Sequence, residues 1–125
     1  LKLVHYLNDR GGTAVIPALE APEAKFKSLP DVFQQVLKHE EYISASINEL
    51  YATCTKEKDF TTANYLQWYI TEQIEEESTV RNILDQIKLA GSDKGGQFMM
   101  DKEFATMAIA KRAALAASGG ANAVV

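Results

Sequence analysis

Glu72, Glu75, Glu76 and Glu77 place four carboxylates within six residues, on a stretch whose apolar residues keep the spacing of one helical face. That face runs through Leu66, Tyr69, Ile70, Val80, Ile83, Leu84 and Ile87, and Gln73 and Glu76 occupy the gap in it. Packing the face against other helices therefore buries a carboxamide and a carboxylate. A buried carboxylate without a partner is costly and takes up a proton unless something compensates it. The nearest cations along the chain, Lys58 and Arg81, both lie beyond the one-turn reach of Glu76, so a metal ion is the expected partner.

A second stripe repeats the anomaly. Phe33, Leu37, Ser44, Ile47, Tyr51 and Cys54 form an apolar seam whose missing member is Glu40. A run of glutamates alone is an ordinary solvated acidic face; a matching carboxylate in the preceding seam turns the reading towards metal. Two adjacent helices that each break an apolar seam with Glu near mid-length can bring oxygen ligands together inside a bundle, as in carboxylate-bridged metal centres. Carboxylate oxygens are hard donors that accept iron in both oxidation states, so Fe(II) oxidation is the chemistry such a site fits.

These side chains need long helices to position them. Ser28 can cap a helix with Pro30 and Asp31 in its first turn, predicted over about residues 31–57. A short polar turn follows, and Asp59 can cap the next helix, predicted over 60–90 and stopped by Gly91. So short a connection makes the two helices antiparallel neighbours. Residues 1–10 read as the end of a helix stopped by Gly11-Gly12. The stretch 11–30 carries Pro17, Pro22 and Pro30 and little periodicity, which is long for a bundle connection. An extended segment of that length reaches about 60 Å, against roughly 40 Å for the helix after it. It can run the whole bundle and leave two successive helices parallel. An Ala-rich run predicts a shorter last helix over 98–117, with 118–125 as a floppy tail.

The strings Lys38-His39-Glu40, Ile47-Asn48-Glu49-Leu50, Leu66-Gln67-Trp68-Tyr69 and Glu72-Gln73-Ile74-Glu75-Glu76-Glu77 resemble the bacterial non-haem ferritins, and the similarity runs from about His5 to Glu103. The resemblance implies an all-α, ferritin-like four-helix bundle with a long crossover and a short fifth helix, residues 1–125 forming one domain. It implies that Glu40 and Glu76 hold the second iron of a di-iron ferroxidase centre with Gln73 beside it, and that Glu72 and Glu75, with Glu76, line a third iron site. Iron, dioxygen or peroxide, and a 24-subunit cage storing ferric mineral are the implied cofactor and partners. The family's first helix and the Glu-x-x-His pair of its second are not found in this sequence. Leu1 corresponds to a point just after that His, so the chain is expected to begin inside the second helix, N-terminally incomplete.

The remaining chemistry is thin. At 125 residues with 46% apolar and 24% charged, the chain suits one globular domain. A net charge of −4 without a Lys/Arg stripe excludes nucleic acid. No apolar run approaches the ~20 residues of a membrane span, and Cys54, the single cysteine, reads as a small buried side chain, so a cytoplasmic setting is expected. His5 and His39 read as surface residues, and two His with one Cys give neither zinc spacing nor a hydrolase triad. Trp68 and Tyr69 read as core or interface; Met99, Met100 and Met107 lie on the last helix, away from the carboxylates, and read as packing rather than haem ligands.

Two other readings stay open. One is a rubrerythrin-like or catalase-like di-metal redox enzyme, which would show Glu-x-x-His where this chain has Gln73-Ile74-Glu75-Glu76. The other is a truncated or split ferritin subunit that assembles without a complete oxidation centre. Two long helices and ten residues of a third cannot cover each other's stripes, so Phe33, Ile47, Leu66, Ile70 and Leu84 are expected to need further helices from elsewhere.

Overall fold

A computed structural model describes residues 2–122 as four helices: α1 (Lys2–Asp9), α2 (Leu29–Lys56), α3 (Phe60–Ala90) and α4 (Lys94–Asn122). No strand occurs among the described residues. The two long central helices start where side-chain oxygens can satisfy orphan backbone donors. Ser28 Oγ accepts from the Asp31 amide at 3.3 Å, while the Asp31 carboxylate reaches back to the Lys27 amide at 2.9 Å. Asp59 opens α3, accepting from the Thr62 amide at 3.1 Å and from the Thr62 hydroxyl at 2.5 Å. Those contacts, the Thr62 hydroxyl foremost, hold the Asp59 carboxyl below the usual range.

Between α2 and α3 the chain reverses through Glu57, Lys58 and Asp59, with Lys58 in the left-handed region at φ 59°. The turn makes the helices antiparallel. Their hinge end holds the tightest packing, where Cys54 and Ala63 are buried and Leu66 is fully so, with Tyr51 and Tyr69 against them. Burying these groups removes apolar surface from water at about 25 cal/mol per Å².

Helix α1 lies along the start of α3. Tyr6 stacks on Tyr65 with centroids 3.9 Å apart, its hydroxyl meets Thr62 at 2.9 Å, and Arg10 pairs with Asp59 at 3.3 Å. At the other end of α1 the Lys2 carbonyl accepts from the Tyr65 hydroxyl, and the Lys2 ammonium sits over the Trp68 ring. These contacts run α1 antiparallel to α3, and so parallel to α2. Gly11, at φ 81°, ends α1, and residues 12–28 form no helix. That segment leaves the hinge end beside Asp59 and reaches the far end of α2, a distance of roughly 40 Å.

Helix α4 differs most from its sequence reading. It begins at Lys94 rather than Phe98, because Asp93 accepts from the Gly96 amide at 2.6 Å and draws Gly95 and Gly96 into the first turn. It continues to Asn122, through part of the segment read as a floppy tail; residues 123–125 lie outside the described ones. α4 folds back antiparallel to α3, setting Phe104 against Phe33 with centroids 6.0 Å apart and burying Met100. Phe33, which meets Phe104 of α4, is half-buried rather than bare, as are Ile47, Ile70 and Leu84.

Candidate metal centre

At mid-length the α2–α3 seam turns from apolar to polar. Gln73 on α3 reaches across to α2, its Nε2 donating to the Glu40 carboxylate and to the Glu40 backbone carbonyl, both at 3.1 Å, and to Ser44 Oγ at 3.4 Å. Glu40 and Gln73, singled out on different stripes, therefore meet. Both are half-buried, which lowers the local dielectric and strengthens their interaction with any cation. The Gln73 carbonyl Oε1 takes no hydrogen bond from the described residues, so it and the Glu40 carboxylate are oxygen donors on two helices held by one amide.

Glu76 is placed differently. It is half-buried on α3 and faces α4, where Lys111 donates to both of its oxygens at 2.7 and 2.8 Å. The expectation that no cation lies within reach of Glu76 is corrected here. Its partner is 35 residues away and arrives because α4 folds back, a contact that spacing along one helix does not reveal. Glu72 and Glu75 line the same open groove of about 700 Å³ between α3 and α4, with Glu76, Thr79, Ile83 and Phe104. Glu75 is exposed, whereas Glu72 is half-buried like Glu76. No group of three or more His, Cys, Asp or Glu side chains gathers tightly enough to hold a metal ion among the described residues. The oxygen donors thus fall into two sets, Glu40–Gln73 in the seam and Glu72, Glu75 and Glu76 in the groove.

A polar network that the sequence reading did not single out lies behind the first set. Ser44 Oγ donates to Glu77 Oε1 at 2.5 Å, and Arg81 donates to Glu77 Oε2 at 2.5 Å and to Glu41 at 3.3 Å. The Ser44 hydroxyl first, and Arg81 second, hold the Glu77 carboxyl below its usual range, and the Glu77 hydrogen bond in turn raises the Arg81 guanidinium above its already high value. Two signals were present: Ser44 is the polar member of the α2 stripe, one turn after Glu40, and Glu77 stands one turn after Gln73.

The aromatic residues beside the centre divide. Burial pushes the Tyr69 phenol well above its ordinary pKa, consistent with its place against the core. Trp68 is 49% exposed, its ring edge against Tyr69. His5 and His39 are both exposed.

The ferritin family profile, described as a ferritin-like domain, matches residues 1–90. A probable bacterial non-heme ferritin-like protein from Haemophilus influenzae is 43% identical over 106 residues, covering 85% of this chain and 64% of that protein. A bacterial non-heme ferritin from Campylobacter jejuni is 40% identical over 111 residues, 89% of this chain and 66% of its own length. Among solved structures, an open pore ferritin from the hyperthermophilic archaeon Archaeoglobus fulgidus superposes with a TM-score of 0.79 at 37% identity, over 82% of this chain and 63% of that one. The chain spans just under two thirds of the length of these relatives. With its all-α architecture, its parallel α1 and α2 and this extent of similarity, the chain belongs to the ferritin-like family.

Proposed function

We propose that this chain is a subunit of an iron-storing ferritin that binds Fe(II) through Glu40, Gln73 and Glu76, oxidises it with dioxygen or peroxide, and retains the ferric product inside a 24-subunit homo-oligomeric cage. The observation that carries the reading is the junction of Glu40 with Gln73, at 3.1 Å across the α2–α3 seam. It sets two oxygen-donor side chains at mid-bundle, where an apolar seam would otherwise be expected. Hard oxygen donors suit iron as substrate. Glu72 and Glu75, on the groove wall, supply the attraction for incoming cations that an acidic surface provides. No helix among the described residues is long and apolar enough to cross a membrane, and the reading places the protein in the cytoplasm.

A second reading is a subunit that assembles without a complete oxidation centre. It is favoured by the separation of the Glu40–Gln73 pair from the Glu76 groove. One experiment tells them apart. Fe(II) is added to the full chain under air, with ferric product followed by absorbance and particle mass by sedimentation. Oxidation above the buffer rate, lost in Glu40→Gln and Glu76→Gln, supports the first reading. Assembly and iron binding at the buffer rate support the second. A chain that neither binds Fe(II) nor assembles defeats both.

A further inference from the structure

The hydrogen bonds of the α2–α3 seam zigzag between the helices, from Glu40 to Gln73, back to Ser44, over to Glu77 and on to Arg81. From this order we infer that Ser44 is a positioning residue for the candidate metal centre, fixing which face of the Gln73 amide is turned towards Glu40. The inference rests on the metal reading above.

A serine hydroxyl has one proton to give and lone pairs to receive with. Glu77 is an acceptor only, and it takes the Ser44 proton at 2.5 Å. Arg81 holds Glu77 at that post from the other side, donating to its second oxygen. With its proton committed, Ser44 meets any third partner only as an acceptor. That partner is Gln73 Nε2, whose remaining contacts, the Glu40 carbonyl and carboxylate, are acceptors too. Turning the amide over would set Gln73 Oε1 against three acceptors at once. The network therefore admits one orientation of Gln73, with nitrogen towards Glu40 and oxygen outwards. The same nitrogen pins one Glu40 oxygen and leaves the other as a donor to a cation.

Ser44 makes no contact with the cation in this arrangement; it acts through Gln73. Partners of this outer kind change metal affinity by about 10–100-fold when removed, and the 3.4 Å separation from Gln73 puts Ser44 at the lower end. The alternative is that Ser44 only fills a small space in the α2 stripe. Ser44→Ala fills that space equally well and removes the hydroxyl, whereas Ser44→Thr restores it.

The probe is Co(II), titrated into the full chain without air, read by its visible ligand-field spectrum and by the dissociation constant. The expected result is that Ser44→Ala weakens Co(II) about tenfold and alters the band shape, with Ser44→Thr returning both to near the wild-type values. Glu77→Ala, which releases the Ser44 proton, weakens binding alike. Glu77→Gln loses the same charge but keeps an acceptor for Ser44, and stays close to wild type. This second pair carries the test even where Ser44→Ala fails to fold, as judged by its helical circular dichroism. Wild-type affinity and spectrum in folded Ser44→Ala, or equal losses in Glu77→Ala and Glu77→Gln, overturn the positioning role and leave the metal reading standing. A wild-type chain that takes up no Co(II) overturns both.

Discussion

Two glutamates of similar placement in sequence have different partners in the fold. Glu40 is held by an amide, a neutral donor that leaves its charge available; Glu76 is held by Lys111, which cancels it. Glu72 and Glu75 have no cationic partner among the described residues and stand on the groove wall. Replacing both by Ala should therefore slow Fe(II) uptake without abolishing binding at Glu40 and Gln73. Stopped-flow oxidation combined with anaerobic titration reads the two effects separately, and loss of all iron binding in the double variant would contradict the division. Side-chain periodicity made Glu40, Gln73 and Glu76 legible as intruders in apolar faces. It could not reveal that Glu76 is neutralised, since Lys111 belongs to another helix and spacing carries no information across a tertiary contact.

Helices α2 and α3 were legible nearly to the residue because their boundaries are local chemistry: Ser28 and Asp59 cap, Gly91 ends. The start of α4 was not, since Gly95-Gly96 reads as a turn until Asp93 is seen to cap them into the helix. Two predictions belong at this scale. Leu66 is the fully buried side chain of the hinge-end core, so Leu66→Ala should cost about 2–5 kcal/mol, measured by urea unfolding. Asp59→Asn keeps a capping oxygen and removes the charge that faces Arg10 and Thr62. The folded carboxyl lies below its unfolded value of about 3.9, so its contribution is present above that pH and lost as pH falls through the lowered folded value. The variant should be less stable than wild type at neutral pH, with the gap closing in acid. A gap that persists unchanged in acid would show that the charge has no part in it.

The chain exposes 9963 Å² of surface, where a compact monomer of its 13.8 kDa mass would expose about 6,600 Å². The excess exceeds what a standard protein interface covers. Val15 and Leu19 at more than 80% exposure and Ile74 at 67% are apolar side chains whose burial by association would be favourable. The chain should therefore sediment as an oligomer at micromolar concentration, and a stable compact monomer would count against the assembly reading. Helix α4 adds a further consequence. Lys111 is joined to α3 by the short Gly91-to-Asp93 connection, so its ammonium meets Glu76 at the effective concentration of a tethered group, of millimolar order. Any metal ion arriving at Glu76 competes with a ligand that never diffuses away. Occupancy of that carboxylate then depends on displacing a tethered ammonium as well as on the affinity of an oxygen for a cation, and a partner that draws α4 elsewhere would raise metal affinity without touching the site.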